Sequence, residues 1–294
     1  MPTSALLAAC VLIWGTTWIA ITAQIAVVAP EVGVAIRFAL AAALLMAVCL
    51  ARGIALRLPA RAHALVALQG LANFWASYVC VYEAERWVAS GVVAVGYAAS
   101  PLVSLALARV WLGLPMSRRV ALGGVAGVAG VVLIFWHEFT RMTASSGVVW
   151  GVEMTVAAVL LGSVGTVAAS AYHRRGTSGW APLAWAMAWG AAGAAVQALV
   201  RGVPWHWSWR PEFIGTLAYL AVFGSVLAFG AYYALVHRVG PAKAGYVGVL
   251  TPVVALGVSS VFEDFAWTGL TVAGIALALA GNAVALWRPA AAKA

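Results

Sequence analysis

Residues 100–112 read SPLVSLALARVWL and residues 251–263 read TPVVALGVSSVFE, and the fold follows from how these two stretches relate. Each opens with a hydroxyl residue before a proline, Ser100-Pro101 and Thr251-Pro252, inside a long apolar run. Their offset of 151 residues, applied without gaps, also lays Tyr82 on Tyr233, Gly123 on Gly274, Gly130 on Gly281 and Trp136 on Trp287. A shift of 147 lays Trp14-Gly15-Thr16 on Leu161-Gly162-Ser163. Apolar identities such as Val103 with Val254 count for little, because apolar sequences match by chance. The aligned Pro, Gly, Tyr and Trp mark an internal repeat.

The chain has 294 residues, 65% of them hydrophobic and 9% charged, with a mean hydropathy of +0.99. A soluble domain carries about 25% charged residues, so most of this surface must face lipid or other helices. Apolar runs bounded by charge, Pro or Gly fall at 4–26, 31–51, 64–84, 88–112 and 119–137, then at 147–172, 180–200, 212–236, 243–262 and 267–287. Each is long enough for a hydrocarbon core about 30 Å thick. None alternates apolar and polar residues as a membrane strand does. The predicted architecture is therefore all-α and integral to the membrane, with ten spans in two five-helix units, 1–138 and 147–288.

Lys and Arg orient it. One set of loops holds twelve (Arg52, Arg57, Arg61, Arg109, Arg118, Arg119, Arg174, Arg175, Arg238, Lys243, Arg288, Lys293) and the other four (Arg86, Arg141, Arg201, Arg210). The excess predicts that both termini are cytoplasmic. Seven of the eight acids, Glu31, Glu83, Glu85, Glu138, Glu212, Glu263 and Asp264, fall near the poorer side. A net charge of +9 spread singly between apolar runs argues against nucleic acid as a partner. The N-terminus lacks a basic leader before its first apolar run, which argues against a cleaved signal peptide. Cys10, Cys49 and Cys80 lie apart within apolar runs and read as packing residues.

A unit of five spans makes the second copy enter the membrane from the opposite side. Such inverted repeats are a hallmark of secondary transporters, whose substrate site lies near the midplane between the halves. Trp14-Gly15-Thr16, Pro30 through Arg37-Phe38, Ser100-Pro101-Leu102 and Gly123 through Gly130, with the echoes Thr251-Pro252-Val253 and Gly274 through Gly281, resemble the EamA-type branch of the drug/metabolite transporter superfamily. The resemblance covers essentially the whole chain. Within that branch the chain is most similar to the YddG-type exporters of aromatic amino acids. The acid that often follows the fourth helix in EamA proteins is replaced by Leu112-Gly113-Leu114-Pro115, whereas Glu263-Asp264 follows the ninth span. The resemblance implies export, an amino acid or related metabolite as substrate, and the bacterial inner membrane as location.

The aromatic residues suggest where the chemistry lies. Many of the fifteen Trp sit at span ends and read as an interfacial belt. Trp14 and Trp18 differ, sharing one face of the first span near mid-membrane, as do Phe74, Tyr78 and Tyr82 on the third and Trp185 and Trp189 on the seventh. Such stripes are often packing alone, but a buried tyrosine hydroxyl needs a partner that lipid cannot supply. With Asn73, Tyr97, Ser100 and Ser163 at similar depth, these residues make a candidate lining for an aromatic or apolar molecule with a polar head.

Pro101 and Pro252 remove backbone hydrogen bonds within spans and are candidate hinges, or plain kinks that Ser100 and Thr251 help to satisfy. The glycines between 123 and 130, with Gly274 and Gly281, read as close helix packing within or between monomers. Arg37 and Glu153 lie in outer thirds of their spans; they either pair across the second and sixth spans, or Glu153 takes up protons or a substrate amine. The five histidines lie at span ends or in loops, and no phosphate-binding glycine loop is present. No cofactor or metal is expected.

The leading expectation is alternating-access export of small organic molecules through an aromatic-lined cavity, with efflux of lipophilic cations as the alternative within transport. An intramembrane enzyme would need Ser and His, or a metal cluster, at a common depth. Ser163 has no histidine at its level. The sequence leaves the oligomeric state open, a monomer being compatible with it.

Overall fold

The computed structural model describes residues 1–114, 118–141, 146–263, 265 and 267–286. Pro115, Asp264, Trp287, Arg288 and Lys293 lie outside the described residues, as do the side chains of Trp136, His137, Glu138, Arg141, His237 and Lys243.

Helices cover the predicted apolar runs, and no strand occurs among the described residues. Seven are long and apolar enough to cross a membrane: α1 (Thr3–Ile25), α2 (Pro30–Ala51), α3 (Ala60–Ala84), α4 (Ser90–Leu112), α6 (Ser146–His173, counted from Gly147), α7 (Trp180–Val200) and α8 (Pro211–Val236). Over the remaining runs lie α5 (Arg118–Arg141), α9 (Tyr246–Phe262) and α10 (Gly269–Leu286), whose apolar described stretches are shorter. Lipid offers the backbone no hydrogen-bond partner, so apolar runs of this length close their bonds internally as helices.

Local chemistry sets the ends. Pro30 and Pro211 stand in the first turns of α2 and α8, where a missing N–H costs nothing. Gly53 (φ 66°) and Gly202 (φ 63°) end α2 and α7 in the left-handed region. That conformation lets Ile54 and Val203 donate back to the Cys49 and Ala198 carbonyls at 2.8 and 2.9 Å.

Three interior irregularities depart from plain spans. Residues 70–77 of α3 and 219–227 of α8 are π-helical. A turn at Ala98–Ala99 divides α4 into Ser90–Tyr97 and Ser100–Leu112, so Pro101 begins a second helical segment. By contrast, α9 runs unbroken through Pro252. There the Thr251 hydroxyl donates to its own Val247 carbonyl at 2.8 Å, not to the Gly248 carbonyl that Pro252 leaves without a donor.

The helices pack α2 on α7, α5 on α10 and α4 on α9. In addition α1 lies against α8 and α9, α6 against α3 and α4, α2 against α8, and α7 against α3. This pattern maps onto itself when each helix is exchanged for the one five places along the series. The α5–α10 contact is a glycine seam. A Cβ at Gly130 would lie 2.4 Å from the Gly274 carbonyl oxygen, and one at Gly281 would lie 2.5 Å from that of Gly123. Gly123, Gly127, Gly130, Gly274 and Gly281 of the predicted set therefore pack within one chain, whereas a Cβ at Gly124 meets nothing within 4 Å.

Candidate functional site

The site grows from the inward faces of α1, α3 and α8. On α1, the i, i+4 pair Trp14 and Trp18 face different neighbours. The Trp14 indole N–H donates to the Gly224 carbonyl at 3.0 Å, and its ring meets Phe229 and Tyr232 at 5.1 and 5.4 Å. The Gly224 carbonyl lies in the π-helical part of α8, where regular i→i−4 bonding is interrupted. Trp18 meets the Tyr97 ring at 5.8 Å.

Tyr97 ends the first segment of α4, and its hydroxyl lies 3.2 Å from that of Ser77. It also donates to Asn73 Oδ1 at 3.5 Å. Ser77 in turn donates to the Ala158 carbonyl at 2.7 Å, while Ser163 donates to the Ser100 carbonyl at 3.1 Å. Gly162 on α6 leaves room for this group, since a Cβ there would stand 2.3 Å from the Tyr97 hydroxyl. Trp18, Asn73, Ser77, Tyr97, Ser100 and Ser163 thus form one hydroxyl-and-amide group beside the α4 turn.

A third group surrounds Arg37. Its side chain is buried, with the guanidinium 5.0 Å from the Phe38 ring centre and 4.9 Å from that of Tyr78. It donates to Ser225 Oγ and to the Tyr82 hydroxyl, both at 3.4 Å. Phe38 also packs on Phe74 and Tyr78, and Phe74 meets Phe229, joining this group to that of Trp14. The expected Arg37–Glu153 ion pair does not form, because Glu153 lies on an exposed face of α6 while Arg37 turns toward α3 and α8. Among the described residues the salt bridges are Glu31 with Arg201 and Glu83 with Arg86. Arg37 therefore sits among neutral hydroxyls and rings without a carboxylate in contact. An unpaired buried charge is costly unless something neutralises it.

Trp185 and Trp189 stand apart from the other candidate residues. Their shared face of α7 turns to the start of α3, where Trp185 donates to the Leu56 carbonyl at 2.9 Å and Trp189 to His63 Nε2 at 3.1 Å. His63 packs edge-on against Trp185 at 5.1 Å. The sequence places both tryptophans by their stripe but gives no sign of which neighbour that stripe meets. It also passes over Phe229, Tyr232 and Gly224 of α8, whose only signal is alignment with the α3 stripe through Tyr82 and Tyr233.

Comparison with known proteins agrees with this architecture. The model of the EamA-like transporter family matches residues 1–136 and 143–287. The chain is 31% identical over 259 residues to the uncharacterized inner membrane transporter YedA of Escherichia coli K12, covering 87% of this chain and 81% of that protein. It is 26% identical over 282 residues to the uncharacterized transporter YvbV of Bacillus subtilis strain 168, covering 94% and 88%. A crystal structure superposes with a TM-score of 0.68 at 22% identity over 96% of both chains, a likeness of fold. Helices that cross a membrane many times, matched almost end to end by this family, make the chain a multi-pass membrane transporter of the EamA-like family.

Proposed function

We propose that this transporter exports aromatic or hydrophobic amino acids across a bacterial inner membrane by alternating access between two inverted five-helix halves. The observation that carries the substrate class is the junction of the Phe38, Phe74, Tyr78 and Phe229 rings with Arg37, a guanidinium lacking a carboxylate partner. A free amino acid brings an apolar or aromatic side chain for such rings and a carboxylate for such a cation. The same guanidinium repels a lipophilic cation, which weighs against the multidrug alternative. Three features support two related halves: the exchange-symmetric packing of the helices, π-helical turns at matching places in α3 and α8, and the family's match in two segments. The Lys and Arg excess supports cytoplasmic termini, a reading in which the Glu31–Arg201 end of the bundle faces outward. Within this reading Pro101 and the Ala98–Ala99 turn form the hinge of the first half.

Purified protein in liposomes, offered labelled phenylalanine, threonine and methionine beside a cationic dye, tests this. Phenylalanine moves in wild type, and Arg37→Gln raises its KM more than it lowers the maximal rate. Failure of all three amino acids while the dye moves overturns the reading.

A further inference from the structure

Beyond the substrate groups, the Arg-poor end of the bundle holds two acids in opposite settings. Glu263, following α9, accepts from the Ser90 backbone N–H at 3.1 Å, the Ser90 hydroxyl at 2.5 Å and the Ser259 hydroxyl at 2.5 Å. It thereby joins the end of α9 to the start of α4 with donors that suit a carboxylate. Glu85, directly after α3, is 7% exposed, and both its carboxylate oxygens are fully buried without a hydrogen-bond partner. A carboxylate stripped of water and of donors is strongly disfavoured as an anion.

The charged and titratable groups around Glu85 are few. Arg37 on α2 attracts its anion, Glu263 repels it, and the Tyr82 hydroxyl on its own helix faces Arg37. The other ionisable groups nearby look elsewhere. Glu83 is bound to Arg86 and to the Trp87 and Trp150 indoles, Glu31 to Arg201, and Glu153 is exposed. Burial and then Glu263 outweigh Arg37, holding the Glu85 carboxyl well above the usual carboxylate range.

We infer that Glu85 carries a proton while the Glu263–Ser90 end of the bundle is closed and gives it up to water as that end opens. The step breaks the carboxyl O–H bond, hands the proton to water and leaves a hydrated carboxylate opposite Glu263. It needs no other reactant. As a drive for transport this rests on the function proposed above; as a proton site it stands on geometry alone. The sign is fixed by linkage: a group whose closed-state pKa is raised stabilises the closed form below its open-state value, and that stability is lost as pH rises through the closed-state value.

Two readouts on substrate-free protein in detergent test it. In infrared spectra at neutral pH, wild type shows a protonated-carboxyl C=O stretch that Glu85→Gln lacks. In a background with the native cysteines changed to Ser, Val92→Cys reports opening through its reaction with a water-soluble maleimide. Val92, on α4, is fully buried and packs in one cluster with Leu256 of α9. Because maleimide reacts with the thiolate, labelling is read as a ratio to that of Val92→Cys with Glu85→Gln added, in which the thiolate's own pH dependence cancels; the ratio rises by up to about tenfold per pH unit between the two pKa values of Glu85. A carboxyl band that survives Glu85→Gln, or a labelling ratio that stays flat with pH, overturns the inference. Should Val92→Cys not fold, the infrared band decides alone. If phenylalanine fails to move while both readouts hold, the transport reading falls and the proton site stands.

Discussion

Gly162 sets how closely α6 approaches the Tyr97 hydroxyl, and the space it leaves is small. A methyl group there would overlap Tyr97 and press on Ser77 Oγ at 3.0 Å. Alanine gains about 1 kcal/mol of helix propensity, while overpacking a filled site costs about 1–3 kcal/mol. We therefore expect Gly162→Ala to change thermal stability by less than a few degrees. It should still cut phenylalanine transport by about tenfold, because Tyr97 must leave Asn73 and Trp18. Normal transport by this variant would place Tyr97 outside the pathway. At this scale the sequence showed which residues were unusual but not which way they point. Trp14 and Trp18, four residues apart on α1, meet different neighbours, and the partner of Arg37 depended on how α2 is rotated. That rotation is fixed by packing against α7 and α8, which no local pattern of an all-apolar helix records.

The two prolines look equivalent as residues and differ as parts of helices. Pro101 stands in the first turn after the Ala98–Ala99 break, where no intrahelical N–H is required of it. Pro252 lies inside α9 and denies the Gly248 carbonyl its donor. The Pro101 ring comes within 3.9 Å of a Cβ built on Gly248, so the two irregularities face each other across the α4–α9 contact. Pro252→Ala should raise the melting temperature in detergent, since an interior proline costs a helix about 3 kcal/mol. Pro101→Ala should leave the melting temperature nearly unchanged and act on transport instead. Equal shifts for both variants would show that the turn in α4 does not relieve Pro101. The sequence marked both sites, and their difference arises because Ala98 and Ala99 supply small residues at the turn, whereas Val249 and Leu250 at the corresponding place continue a helix.

The all-helical membrane character of the bundle was the most legible level, because hydropathy acts over long distances along the chain. Lipid forces apolar runs into helices, and the 151-residue offset in the sequence lays Ser100-Pro101 of α4 on Thr251-Pro252 of α9 before any contact is known. What holds those helices together is a different matter. Between helices already in lipid there is little hydrophobic gain, so close approach through small residues must supply the attraction. The α5–α10 seam shows this with a built-in control. Gly130, Gly274 and Gly281 each meet the opposite backbone, whereas a Cβ at Gly124 on the same helix meets nothing within 4 Å. Gly130→Leu should therefore force α5 and α10 apart and lower the melting temperature and the yield of monodisperse protein. Gly124→Leu, which adds the same side chain to α5, should leave both unchanged. Thermal melts and size-exclusion profiles of the two variants in one detergent decide it. Equal damage from both would mean that side-chain bulk anywhere on α5 is harmful and that the seam is not what joins α5 to α10.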